Sequence, residues 1–303
     1  MAKMSQNVKE ILQIVAFVVV VGILVAAFVA YPLSRTKAYL GRIDLNTFSA
    51  DSLPANDISA FAGLNATVDT FRVEADGLTT LACAWLTPAP DTLSPEHTRP
   101  LRGSVVLLHD ERADRNSLLG LASAFLDSGW AVSLYDQRAS GLSSAGYHSD
   151  GEYEASDLNE LIAHLRIRDR VIRPFVAVGF RAGADAALLS AAEEDHFDAV
   201  VAVRPYLTTG RWLDQLMAEH DMYWIPFPRS IFKFWYELRS GYAPEYRSLA
   251  TIRPPVCRAL ILDSEDQTVS EFVQIAGANQ IEVRAVPADT AKLIETMMAY
   301  LSL

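Results

Sequence analysis

The chain has 303 residues, enough for one large α/β domain with an appendage; half are hydrophobic and a tenth aromatic, which excludes global disorder. A net charge of -11 without basic clusters argues against a phosphate-backbone partner, so no nucleic-acid role is expected. The two cysteines, Cys83 and Cys257, lie in apolar runs without CxxC spacing, so buried free thiols are expected and the redox compartment stays open.

From the N-terminus, Ile11–Tyr31 is a run of about 21 residues whose only strongly polar member is Gln13. As a helix it has the length to cross a hydrocarbon layer of about 30 Å. A cleaved signal peptide is the rival, with small residues at Val25-Ala26-Ala27, but the apolar part of such peptides runs only about 7–15 residues. The expectation is an uncleaved single-pass anchor in the lipid bilayer. Lys3 and Lys9 precede it and Arg35, Lys37 and Arg42 follow, so basic residues do not set its orientation. Residues 32–66 read as a polar juxtamembrane linker.

Strands are expected at Thr67–Val73 and Thr79–Leu86, joined through Asp76-Gly77, with a proline-containing loop at 87–102. Then strand and helix alternate. Ser104–His109 is a strand, Asn116 reads as a helix cap, and Leu118, Leu121, Ala122 and Phe125 share one helical face. Trp130–Tyr135 is a strand, and Leu158, Leu161, Ile162 and Leu165 line the next helix. Phe175–Val178, Ala199–Val203, Cys257–Leu262 and Ile281–Ala285 are further strands. Ala182–Ala192 and a final stretch with Ile294, Met297, Met298 and Leu301 are helices. Continuous apolar strands alternating with one-sided helices specify an α/β fold, a mostly parallel sheet with helices on both faces.

Ligands of such sheets sit beyond the carboxyl ends of the strands. There, Gly179-Phe180-Arg181-Ala182-Gly183 runs from strand through a tight turn into a helix and resembles the G-x-S-x-G nucleophile elbow of the α/β-hydrolases. Three more segments support the resemblance, in order. Leu107-Leu108-His109-Asp110 resembles the family's His-Gly oxyanion turn. Asp136-Gln137-Arg138-Ala139-Ser140-Gly141-Leu142-Ser143 resembles its D-x-R-G-x-G-x-S loop. Leu262-Asp263-Ser264-Glu265-Asp266-Gln267-Thr268-Val269 resembles its acid loop, with Asp266 in the acid's place. The resemblance covers about residues 68–303 and is nearest to the serine aminopeptidase and monoacylglycerol-lipase-like branch, some of whose members are membrane-anchored. It implies a domain at 67–303 with a cap insert at 206–246.

The resemblance also implies a catalytic triad, and here the chain departs from it. Arg181 holds the nucleophile position, and a guanidinium has no usable lone pair for attack. The family's histidine would fall at Pro287-Ala288-Asp289-Thr290, where Asp289 and Thr290 read as helix caps; all six histidines precede Asp266. Asp110 puts a carboxylate beside the developing oxyanion. Three altered parts of one machine point to lost catalysis.

Single residues have plainer readings too. Arg181 is expected to pair with Asp266, His109 to be a satisfied structural histidine, and Ser140, Ser143 and Ser144 to be turn residues. Asp136 and Arg138 read as an internal pair that stabilises their loop. No metal or cofactor motif occurs. The aromatic stretch 222–236 within the insert reads as a cap packed on the core, or as a surface for lipid, an apolar ligand or a membrane-protein partner. The leading expectation is a non-catalytic, membrane-tethered binding or assembly subunit. An active serine hydrolase of esters or amides with an atypical site is the second, and a receptor for a small apolar or anionic ligand the third. The N-terminal run carries a direct test: the intact chain should need detergent to stay in solution after purification, and a monodisperse full-length protein in plain buffer would contradict the anchor.

Overall fold

The computed structural model describes residues 9, 12–24, 58–77, 79–90, 100–144, 148–149, 151–219, 229, 230, 234, 237, 253–264, 267–276 and 280–301. The chain forms two compact units, residues 1–42 with 214–243, and residues 43–213 with 244–303.

In the larger unit, strands β1 (Ala66–Asp76), β2 (Thr79–Pro88), β3 (Ser104–Leu108), β4 (Ala131–Asp136), β5 (Phe175–Phe180), β6 (Ala199–Val203), β7 (Arg258–Leu262) and β8 (Ile281–Arg284) build one sheet. Its order is β1-β2-β4-β3-β5-β6-β7-β8. Strand β2 runs antiparallel to β1 and β4, and every later pairing is parallel. The antiparallel pair is a hairpin through Asp76-Gly77, where the Asp76 carboxylate accepts the Thr79 amide at 2.6 Å. The edge strand β1 alternates exposed and half-buried residues over its first half, whereas every residue of β3, β4 and β6 is buried. That difference follows from position: interior parallel strands are covered on both faces.

Helices α1 (Leu119–Asp127) and α6 (Thr290–Leu301) cover one face through Leu121, Phe125, Met297 and Tyr300. Helices α2 (Glu152–Ile167), α3 (Ala182–Glu193) and α5 (Gln267–Ala276) cover the other through Leu158, Leu161, Ala184, Ala187 and Phe272. Each fully buried Leu or Phe contributes about 1.5–3 kcal/mol. Helix α4 (Thr209–Glu219) follows β6.

Several local expectations change. Asp114, not Asn116, caps the segment after β3; its carboxylate accepts the Asn116 amide at 2.9 Å, and a 3-10 turn, Arg115–Leu118, precedes α1. The end of the polar linker belongs to the domain, because Phe61, in a short turn at Ser59–Phe61, is buried beneath the Arg115 guanidinium, 5.3 Å from its ring centre. One aromatic in a polar stretch makes no periodicity, so only the fold exposes its role. Asp136 and Arg138 do not pair with each other. Asp136, at the end of β4, faces the 3-10 turn, accepting the amides of Arg115 at 2.8 Å and Leu142 at 2.9 Å and lying 3.6 Å from the Arg115 guanidinium. The following turn carries Arg138 to α2, where it grips both oxygens of Asp157 at 2.8 and 2.6 Å.

In the smaller unit, residues 12–24 are helical, with Ile14, Phe17, Val18, Ile23 and Leu24 all exposed. Among the described residues no helix is long and apolar enough to cross a membrane; residues 11 and 25–31 of the expected span lie outside them. So does most of the insert, including 222–236 apart from Arg229, Ser230 and Phe234. The placement of that insert as a cap is therefore not described.

The Arg138–Asp157 pair should dominate this side of the domain. Asp157→Ala leaves a buried guanidinium with its main partner removed and should destabilise the chain by about 3–5 kcal/mol in denaturant unfolding. Asp76→Asn, which removes the half-exposed second contact of Arg138 at 3.3 Å, should cost less than about 1 kcal/mol.

Candidate functional site

Strand β5 ends in a turn that leaves no room for side chains at two positions. A Cβ on Gly179 would fall on the Gly183 carbonyl, and one on Gly183 would fall on the His109 carbonyl and lie 2.9 Å from Leu108 Cβ. The chain passes between them with Arg181 at φ 51° and ψ -115°, outside the regions L-residues favour. The Arg181 amide donates to the Val203 carbonyl at 2.9 Å, and its own carbonyl accepts from Ala184 at 2.9 Å and Asp185 at 3.0 Å. This wiring holds the strain and presents the residue-181 side chain beyond the carboxyl end of the sheet. The Ala182 amide, at the first position of α3, is one of the donors a helix start leaves outside its own ladder.

What the turn presents is a cation surrounded by acids. The Arg181 guanidinium stands 3.5 Å from Asp110 Oδ2 and 5.6 Å from the centre of the Tyr206 ring. The Asp110 side chain is in hydrogen-bond contact with that of Glu111, and the Tyr206 hydroxyl donates to Glu111 Oε1 at 2.7 Å. Tyr206 is fixed in turn by Asp185 of α3, whose carboxylate accepts the amides of Tyr206 and Leu207 at 2.9 and 2.7 Å. Burial, then the neighbouring Glu111, pushes the Asp110 carboxyl up to about 8, against the pull of Arg181. Burial also works to raise Glu111, but hydrogen bonds from Asp110 and Tyr206 outweigh it and hold Glu111 below the usual carboxylate range.

His109 is buried, and burial pushes its imidazole down to about 4. Its Nε2 accepts the Gln137 amide at 2.9 Å, which leaves the proton on Nδ1, 2.6 Å from the Asp110 carbonyl. It is a neutral, satisfied strut. Asp289 caps α6, accepting the Ala291 amide at 3.1 Å, and Thr290 is the first residue of that helix. Asp266 lies outside the described residues, so its pairing with Arg181 is not described. Asp263, three residues earlier, is buried and bound by Arg211 at 2.8 Å.

The serine-rich turn is more varied than its sequence implies. Ser143 bridges the Asp136 carbonyl at 2.5 Å and the Ala82 amide at 2.9 Å, and Ser144 accepts the Thr80 amide at 2.6 Å. Both tie the turn to β2. Ser140 instead lies 3.2 Å from His148 Nε2, and His148 Nδ1 lies 3.4 Å from Glu154 Oε1, all three buried. The Glu154 carboxylate also receives the Ser149 amide at 2.8 Å and hydroxyl at 2.5 Å. Sequence reasoning missed Glu111, His148, Glu154, Asp157 and Tyr206. For Glu154 and Asp157 a signal exists: they fall in register with Leu158, Leu161 and Leu165 on the apolar face of α2, where a carboxylate needs a buried partner.

No family profile matches the chain. It is 31% identical over 184 residues to an uncharacterized protein of Bacillus subtilis, YqkD, a match spanning 59% of this chain and 58% of that protein. Among solved structures it is similar to the Pyrococcus furiosus esterase Pf2001, with TM-score 0.60 and 19% identity over 85% of this chain and 94% of the other. It is also similar to a Rhizomucor miehei esterase (TM-score 0.57, 11% identity, 88% and 90% coverage) and to the Exiguobacterium antarcticum esterase EaEST (0.54, 17%, 78% and 100%). The domain has the α/β-hydrolase fold.

The elbow's packing can be checked with two glycines. Gly183→Ala should destabilise the chain by about 1–3 kcal/mol because its methyl meets backbone. Gly120→Ala, in α1 with open space around it, should stabilise by about 0.4–1 kcal/mol in the same unfolding assay.

Proposed function

We propose that this chain is a membrane-anchored α/β-hydrolase-fold protein that does not catalyse at its elbow and serves as a binding or assembly subunit. The observation that carries the reading is Arg181, held in the strained elbow position and drawn toward Asp110 and Tyr206. A guanidinium there cannot attack a carbonyl. His109 has both ring nitrogens engaged by backbone groups, Nε2 with the Gln137 amide and Nδ1 with the Asp110 carbonyl. The anchor is supported by the apolar run 11–31 and by the exposed apolar residues of helix 12–24, the aromatic contact surface by the composition of 222–236.

A second reading has one specific observation in its favour. Ser140, His148 and Glu154 stand in the order of a nucleophile, a base and the group that orients the base. On that reading the chain is a serine hydrolase of esters or amides with its nucleophile on the loop after β4, an activity in keeping with the esterases that share its fold. Burial of all three side chains weighs against it.

Fluorophosphonate labelling of the full chain separates the two. The proposal expects no adduct and no ester turnover above a denatured control, and Arg181→Ser alone should restore neither. An adduct on Ser140 that disappears in His148→Ala would overturn the proposal and establish the second reading.

A further inference from the structure

Ahead of β1 the chain lies on the domain chiefly through apolar contact. Phe61 is 2% exposed and joins the cluster that contains Ala84, Leu86 and Leu118, with Leu64 half-buried against it. Ile58, Ala62 and Gly63 around it are exposed. Backbone bonds in this stretch are local. The Phe61 amide donates to the Ile58 carbonyl at 3.0 Å, Ala62 to Ser59 at 3.1 Å and Leu64 to Phe61 at 2.9 Å. A bond to the residue after β2 follows at the end of the stretch, where the Asn65 carbonyl accepts the Ala89 amide at 3.1 Å.

What Phe61 covers is a charge. The Arg115 guanidinium lies 5.3 Å from the ring centre and is 1% exposed. It stands 3.6 Å from Asp136, beyond hydrogen-bond length, and its Nε and Nη1 are buried without a hydrogen-bond partner. A buried donor with no acceptor costs the desolvation of that group, and the cation–π contact offsets only part of it. Two effects therefore oppose each other in this stretch. Burial of Phe61 favours the closed state, while the dry nitrogens of Arg115 favour a state in which water reaches them. Neither effect involves the hydrogen-bond ladder of the sheet.

Arg115 also belongs to the loop at the mouth of the elbow. Its amide donates to Asp136 Oδ1 at 2.8 Å, the Ala113 amide donates to the Asp110 carbonyl at 3.0 Å, and Asp110 Oδ2 stands 3.5 Å from the Arg181 guanidinium. We propose that residues 58–64 form a latch that opens as a unit while the sheet stays folded, and that its opening hydrates Arg115 and loosens the loop 110–118. The chain ahead of β1 then acts on the elbow: whatever displaces Phe61 is felt at Asp110. This device goes beyond the binding reading above and holds whether or not the elbow is catalytic.

Hydrogen exchange on the full chain in detergent tests it, read in residues 58–66, in β3 and in the loop 110–118. Val200→Ala opens a cavity in β6 on the sheet face opposite Phe61 and should accelerate β3 at least about tenfold. Residues 58–66 should stay within about twofold of the wild type, because a local opening keeps the Val200 contacts intact. Phe61→Ala should accelerate residues 58–66 and 110–118 together, at least about tenfold. Arg115→Met alone would strand the Asp136 carboxylate, so it is made with Asp136→Asn. That double variant should slow residues 58–66 at least about fivefold relative to Asp136→Asn, since the dry nitrogens are gone. Circular dichroism confirms that each variant is folded. Exchange of residues 58–66 in step with β3 in Val200→Ala would overturn the latch. An unchanged loop 110–118 in Phe61→Ala would overturn its coupling to the elbow, and no slowing in the double variant would overturn the role of Arg115.

Discussion

The turn between β5 and α3 is the constraint on which the rest of the site depends. A Cβ on Gly179 would meet the Gly183 carbonyl and one on Gly183 the His109 carbonyl, and Arg181 is left in a backbone conformation that costs free energy in any L-residue. Three hydrogen bonds around Arg181 and the small-residue start of α3 hold that conformation. A strand-to-helix turn this tight aims whatever side chain occupies position 181 beyond the sheet, whether a nucleophile or a cation.

With a cation there, the carboxyl edge of the sheet becomes a set of arginine–carboxylate pairs. Arg115 lies against Asp136, Arg138 grips Asp157, Arg181 faces Asp110 and Arg211 binds Asp263. The first two are buried on both sides and lock the loops after β3 and β4. The last two are part-exposed. A planar guanidinium suits all four places because it satisfies a carboxylate from a fixed direction and stays charged when partly desolvated. The contact of Arg181 with Asp110, at 3.5 Å, is the one whose two partners are both about a quarter exposed. Interior pairs and part-exposed pairs thus arise from the same chemistry and differ in burial.

Much of this was legible in the sequence. Apolar runs of strand length alternating with one-sided helices predicted all eight strands of the sheet to within a few residues, and the resemblance to the α/β-hydrolases located the elbow, the His109-Asp110 turn and the loop at 136–143. The substitution at 181 and the lack of a late histidine are also sequence facts. Local signals of this kind work because backbone periodicity and turn chemistry depend on residues a few positions apart.

What the sequence left undecided was which charges meet. It paired Asp136 with Arg138 by proximity, whereas the fold sends one toward the 3-10 turn before α1 and the other to α2. It did not suggest Glu111 with Tyr206, 95 positions apart, or Arg211 with Asp263, 52 apart. Those meetings require the strand order that sets β3 beside β5 and β6 beside β7, and strand order is not written in any local pattern. The sequence by itself determined the α/β architecture, the tight turn after β5 and the arginine that the turn carries. Only the tertiary structure decided that Arg181 would face Asp110 and Tyr206, because the partners of a charge are chosen by what the fold brings within a few ångströms.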